Sequence, residues 1–338
     1  MRPFLSTSLS ILMLFGTPAI AQAQSIETLI QQGTVARESQ DYAEGERIFR
    51  EVLELDPNYA PAHVELGFAL WNQGQSEEAE GAFREALRLD PDNAKALTNL
   101  GSLLGLQGQN GEAERLLREA LRLDPDDVLT YSNLGFLLGS QGRTEEAEGL
   151  LRDGLRVDPD SASTYSILGD LLNADGRDEE AENAYREAVR LDPDNASTYI
   201  RLGTLFESQN RHEEAERAYR EVVRLQPDYA LGHTNLGLML GLQKRYEEAE
   251  QVFFEAVRLD PDSVLNYLAL AYTYHQQERW AEAITYYEKT LEIEPDNRDA
   301  QVALDTARIE RAVTDPANQD LIRDIPPGEA IFIPYPER

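Results

Sequence analysis

Cysteine is absent from the 338 residues, which removes disulfides, thiolate metal sites, a cysteine nucleophile and a lipid-modified N-terminal cysteine together. Histidine is nearly as scarce: His63, His212, His233 and His275 stand far apart in sequence and leave little from which to build a metal or acid–base centre. Positive charge is in short supply, with 31 Lys and Arg against 62 Asp and Glu and a formal net charge of -31. That balance excludes nucleic acid and anionic membrane surfaces as partners, because both are bound by clustered cations. The phosphate-loop, zinc-protease and nucleophile-elbow motifs are missing, as is any strand-rich stretch to present them. Carboxylates abound, yet on solvated helical rows nothing raises one to act as an acid. The residues therefore predict a protein that is not an enzyme, with no cofactor, no metal and no small-molecule substrate.

What is present begins with an address. Arg2 gives a positive start, Leu9 to Phe15 an apolar centre, Gly16 and Pro18 a break, and Ala21-Gln22-Ala23 a small-x-small cleavage pattern, the three-part form of a secretory signal peptide. A transmembrane anchor needs about 20 apolar residues, and Ser6, Thr7, Ser8, Ser10, Thr17 and Pro18 interrupt this stretch. The expectation is a leader over 1–23, a mature chain from Gln24 without a membrane span, and export to a periplasm or the exterior.

From Ile26 onward one unit is copied. Pro57, Pro91, Pro125, Pro159, Pro193, Pro227, Pro261 and Pro295 follow one another at intervals of 34 residues, although the chain has only 16 prolines. Such a period marks a stacked array. With Ile26 as position 1, the repeats run 26–59, 60–93, 94–127, 128–161, 162–195, 196–229, 230–263 and 264–297. Each reads helix, turn, helix, proline turn. Leucine recurs at position 7 (Leu66, Leu100, Leu134), glycine at 8 (Gly67, Gly101, Gly135), alanine at 20 (Ala79, Ala113, Ala147) and a large residue at 24 (Phe83, Leu117, Tyr185). Small residues at 8 and 20 let the paired helices approach closely, and the large residues at 7 and 24 are expected to fill the space between successive pairs. Proline at 32 ends the second helix, and the Asp or Asn after it can cap the next. Gly154 replaces the position-27 alanine of repeat 4, a helix-interior glycine that costs about 1 kcal/mol and predicts a soft point there.

These residues resemble the tetratricopeptide repeat family, whose pattern of Leu-Gly at 7–8, Ala at 20, an aromatic at 24, Ala at 27 and Pro at 32 repeat 5 repeats with Leu168-Gly169, Ala181, Tyr185, Ala188 and Pro193. The resemblance spans Ile26 to Asn297 and implies an all-α fold, a right-handed α–α superhelix of eight helix-turn-helix repeats. Departures gather at the ends, with Gln32, Ala36 and Gly45 in repeat 1 and Ala271 and Thr290 in repeat 8. Arg298 to Val313 reads as a capping helix (298–313), of the kind that keeps an array soluble. A proline-punctuated tail (314–338) ends in Ile331-Phe332-Ile333-Pro334-Tyr335-Pro336. It either folds back on the array or docks elsewhere.

The acids are ordered. Glutamate at positions 18, 19 and 21 complements the dipole of the second helix, and arginine at 25 sets up Glu80–Arg84, Glu114–Arg118, Glu148–Arg152, Glu182–Arg186 and Glu216–Arg220 at i, i+4. Each pair contributes about 0.2–0.5 kcal/mol. Turn carboxylates such as Asp124, Asp126 and Asp127 offer fewer oxygens than a hard cation needs.

In a stacked array the first helix of each pair lines the concave side, which makes positions 2, 5, 6, 9, 12 and 13 the candidate binding surface. Asn99, Asn133 and Asn235 share position 6, with Arg201 there in repeat 6, and an asparagine row can bond a peptide main chain regardless of its side chains. A similar asparagine ladder lines the repeats of O-linked N-acetylglucosamine transferases, although no catalytic domain follows here. Gly105, Gly139 and Gly241 occupy position 12, marking either a fraying last turn or a groove deepened for a ligand. Thr98, Ser102, Ser132 and Thr234 would keep the groove polar, and Trp71 offers an aromatic anchor. The family's carboxylate clamp for chaperone C-termini is not matched, since no repeat has lysine at position 5 and Lys95 with Asn99 are isolated fragments of it. Tyr267, Tyr272, Tyr274, His275, Trp280 and Tyr286 are expected beneath the final helix or the tail. The sequence thus predicts an exported scaffold that binds an extended peptide or protein segment in its groove during assembly of a complex. Self-association through exposed ends, or a helper role in a secretion or surface-polysaccharide machine, is the alternative.

Overall fold

The proline at position 32 and the small residues at 8 and 20 set the architecture. In the computed structural model, which describes residues 18–314, they produce seventeen helices and no strand among the described residues. Residues 1–17, most of the leader expected over 1–23, and the tail beyond Thr314 lie outside the described residues. The elements are α1 (Pro18–Glu38), α2 (Tyr42–Leu55), α3 (Ala60–Asn72), α4 (Ser76–Leu89), α5 (Ala94–Leu106), α6 (Asn110–Leu123), α7 (Val128–Ser140), α8 (Thr144–Val157), α9 (Ala162–Ala174), α10 (Asp178–Leu191), α11 (Ala196–Ser208), α12 (His212–Leu225), α13 (Ala230–Leu242), α14 (Tyr246–Leu259), α15 (Val264–Gln276), α16 (Trp280–Ile293) and α17 (Arg298–Thr314). From repeat 2 onward the first helix fills positions 1–13 and the second 17–30. Two units divide the chain, Met1–Pro159 with α1 to α8 and Asp160–Arg338 with α9 to α17. In each, a helix packs on the next one in sequence and forms a layered α–α stack.

Local chemistry explains the boundaries. Asn93, Asp127, Ser161, Asn195 and Ser263 cap the first helices, Asn93 by accepting from the Ala96 N–H at 3.0 Å and Asp127 from Leu129 at 3.2 Å. The first helix closes with a left-handed residue at position 15. Gly74, Gly108, Gly142 and Gly176 fill it with φ between 74° and 78°, whereas Gln40, Asn210, Lys244 and Glu278 adopt φ of 58° to 60°. The following amide then reaches back, as Arg245 N–H does to Leu240 O at 3.0 Å, the bond that satisfies an orphan helix-end carbonyl.

The close approach at position 8 is visible, but its partner differs from the expectation. A Cβ added at Gly169 would stand 2.5 Å from the Tyr185 ring, and one at Gly67 2.6 Å from Phe83. The position-24 side chain therefore fills the seam within its own repeat. α8 runs unbroken through the buried Gly154. His275 meets the capping helix, its Nε2 2.9 Å from the Glu310 carboxylate. Tyr267, Tyr274 and Tyr286 stack beside Phe254 of α14, and Tyr272 is exposed, while the tail expected over them lies outside the described residues. None of the described helices is long and apolar enough to cross a membrane.

Candidate functional site

The first helices of repeats 2, 3 and 4 line two adjoining hollows in the first unit. The larger, of about 420 Å³, has Val64, Phe68 and Leu129 as apolar lining, with Glu65, Lys95, Asn99 and the turn acids Asp124, Asp126 and Asp127 around them. The smaller, of about 130 Å³, is lined by Trp71, Ser102, Gly105, Leu106, Asn133, Phe136 and Ser140. Six of the expected residues, Trp71, Thr98, Asn99, Ser102, Gly105 and Asn133, thus border these hollows. Position 6 links to position 9 of the preceding repeat: Asn133 Nδ2 donates to Ser102 Oγ at 2.7 Å, and Ser102 Oγ donates to Thr98 O at 2.7 Å. Asn133 arrives at the groove already oriented, with its carbonyl acceptor still available.

Two expectations change. Ser132 and Thr234 are not groove hydroxyls, and Thr98 borders the larger hollow only from its floor, because each is only 2% exposed. Position 5 meets position 3 of the next repeat: Thr98 Oγ1 lies 2.5 Å from Thr130 Oγ1, which donates to the Asp127 cap at 2.5 Å, and Thr234 Oγ1 donates to Asn266 Oδ1 at 2.6 Å. A hydroxyl holds one proton, and Thr98 Oγ1 also stands 3.0 Å from Ala94 O as a donor, so that proton is shared between its own helix and the Thr130–Asp127 pair. These side chains are polar joints between repeats. Gly105 is neither frayed nor placed for a ligand alone, since an added Cβ would meet Leu137 Cδ1 at 3.3 Å, so it lets α5 and α7 approach. Gly139 sits half-buried at the equivalent place in α7.

Arg201, Thr234, Asn235 and Gly241 belong to the second unit. Arg201 is committed there. Its Nε donates to both Asp170 oxygens at 2.7 and 2.9 Å, and Tyr185 Oη donates to the same carboxylate at 2.8 Å. Burial pushes the Tyr185 phenol well up, and the Asp170 charge adds to that, so it stays protonated as a donor. An added Cβ at Gly241 would meet nothing within 4 Å, so packing does not demand glycine there.

The sequence reading passed over Phe68, Phe136, Leu106 and Leu129. Phe136 is 52% exposed and Leu106 67%. Both stand at groove positions, 9 and 13, and a large apolar residue at a solvent-facing position was the signal that could have found them.

The second helices carry the charge. Each expected i, i+4 pair is formed, as in Glu80–Arg84 at 2.9 Å and Glu216–Arg220 at 2.8 Å. The same arginine also reaches the next repeat, as Arg84 does to Glu112 at 3.1 Å, and the position-16 arginine reaches back, as Arg143 does to Glu114 and Arg245 to Glu216 at 2.7 and 2.6 Å. The Arg143 hydrogen bond holds Glu114 below the usual carboxylate range, and that from Arg84 does the same for Glu112.

Comparison with known proteins fits this geometry. The family model for the C-terminal domain of cilia and flagella-associated protein 70, a tetratricopeptide repeat domain, matches residues 17–197, and two tetratricopeptide repeat models match 200–264 and 242–309. The chain belongs to the tetratricopeptide repeat family. No curated protein matches it. Among solved structures this tetratricopeptide repeat chain is similar to Pseudomonas aeruginosa PilF, at 24% identity and a TM-score of 0.52 over 61% of this chain and 94% of that one. It is similar also to YrrB, a tetratricopeptide repeat protein with an unusual peptide-binding site, at 22% and 0.51 over 55% and 96%, and to PilW, a widely conserved type IV pilus biogenesis factor, at 20% and 0.54 over 60% and 94%. These likenesses establish the α–α solenoid fold, and the family's repeats are suited to protein–protein interaction rather than catalysis.

Proposed function

We propose that this chain is an exported, non-catalytic scaffold that holds an extended segment of a protein partner along α3, α5 and α7, in support of assembly of a complex. The observation that carries the reading is the alternation in the two hollows, where Phe68, Trp71 and Phe136 stand among the amides of Asn99 and Asn133. Aromatic anchors bury apolar side chains, and amides bond a main chain of any sequence. A partner of this kind is supported by the fold shared with YrrB, which has a peptide-binding site, and by the fold shared with the pilus biogenesis factor PilW. The three-part pattern over 1–23 supports export, and a chain recovered from the exported fraction should begin at Gln24.

The test is capture of partners from that fraction by the intact protein, beside an Asn99→Ala, Asn133→Ala, Phe136→Asp variant of unchanged helicity. A partner retained by the parent and lost by the variant supports the groove. Equal capture moves binding to the ends or the outer face and sinks the site. Exposed Val302 and Val313 on α17 favour a second reading, self-association through the C-terminal end, for which mass in light scattering should rise with concentration.

A further inference from the structure

Repeats 7 and 8 present a surface unlike the rest of the second unit. α9 and α11 carry Asp170, Arg201 and Glu207, whereas α13 and α15 contain no Asp, Glu, Lys or Arg. Positions 2, 6, 9 and 13 fall on one helix face. On α13 these are Leu231, Asn235, Leu238 and Leu242, and on α15 Leu265, Ala269, Tyr272 and Gln276. Leu231 and Leu242 are each 46% exposed, Leu265 47% and Tyr272 56%. Scattered exposed leucines need no explanation, but an uncharged run shared by two neighbouring helices marks a surface that something covers.

We propose that the occupant is the chain's own segment Ile331-Phe332-Ile333-Pro334-Tyr335, laid along α13 and α15. Three observations select it. The segment is uncharged, so it meets this face without stripping water from an acid. Pro334 within it and Pro336 just after it oppose helix and favour an extended form, the form that preformed grooves take. The exit point is also right. His275 of α15 holds Glu310 of α17 at 2.9 Å, and α17 ends one turn later at Thr314, which releases the chain beside the half of α15 that carries Tyr272. The residues between Thr314 and Ile331 reach about 50 Å when extended, against a length of about 20 Å for either helix. Tethering raises the local concentration of the segment, while a second copy with the same net charge of -31 is repelled. The inference does not rest on the groove of repeats 2 to 4. It assigns the apolar face of repeats 7 and 8 to the chain itself.

The absence of native cysteine makes the test direct. A nitroxide attached to the full chain through Ile333→Cys would be the only label, and amide signals would be compared before and after its reduction. The expected result is selective loss of signal from α13 and α15, relieved when Leu265→Asp and Tyr272→Asp are added. Both substituted side chains are largely exposed, and circular dichroism would verify that the helices persist. Signals of α13 and α15 left unbroadened would overturn the proposal. So would broadening that appears only between labelled and unlabelled molecules in a mixture, which would make the occupant a second copy.

Discussion

At the scale of single residues, the left-handed position 15 shows what a glycine column conveys and where it stops. Gly74, Gly108, Gly142 and Gly176 fill it in repeats 2 to 5, but the backbone keeps the same conformation at Lys244 and Glu278, with φ of 60° and 58°. A side chain there costs roughly 1–2 kcal/mol, offset in part by the larger entropy a glycine loses on folding. Glu278→Gly should therefore stabilise the second unit by about 0.5–1 kcal/mol, read as a higher denaturant midpoint at unchanged slope. No change would mean that the turn relaxes without strain. The column was legible in four repeats and invisible in the others, because identity changes there while conformation does not. The pairing of position 24 with position 8 stayed hidden for a related reason. Spacing shows that Tyr185 is large and Gly169 small, but only packing shows that each is the other's complement.

At the scale of helices, the sequence disclosed half of each charge relay. Glu216 and Arg220 are four residues apart and were readable as a pair, whereas Arg245 lies a repeat away and reaches the same carboxylate only when the helices stack. Thr234 was misread at the same level, since position 5 borders both groove and seam on a helical wheel, and Asn266 of the next repeat decides which. Glu216 is the most informative site. Its side chain is 9% exposed, and burial pushes its pKa up, but hydrogen bonds from Gln243, Arg220 and Arg245 outweigh that and hold it below the ordinary value. A hydrogen bond to a charged group is worth about 1.5–3 kcal/mol, so Glu216→Gln should destabilise the second unit by about that amount at neutral pH. The folded-state pKa lies below the unfolded one, so the contribution is complete above the unfolded carboxylate value and lost as pH falls through the folded value. The difference between parent and variant should therefore begin to shrink as pH falls below about 4, where the unfolded glutamate takes up its proton, and vanish only below the lower folded value. A difference that persists unchanged in acid would assign the effect to packing instead.

Over the whole molecule, the excess of acid sets two electrostatic terms against each other. With 62 acidic and 31 basic side chains, every cation can be matched and half of the acids still remain unpaired. The relays that use the arginines act at contact, as at 2.6 Å for Arg245–Glu216 and 2.7 Å for Arg143–Glu114. The surplus carboxylates repel one another over longer paths through solvent. Salt discriminates by distance. The screening length is about 10 Å at 0.1 M and falls to about 3 Å at 1 M, so added salt removes the long-range repulsion before it weakens pairs in contact. Most of those pairs are also half-exposed and contribute little individually. The thermal midpoint should therefore rise as sodium chloride goes from about 20 mM to about 0.5 M, a range across which the screening length shrinks from beyond one helix spacing to well within it. A midpoint that falls over that range would show that the arginine relays, and not the unpaired acids, dominate the electrostatics of folding. In that case removing Arg143 or Arg245 should reverse the trend.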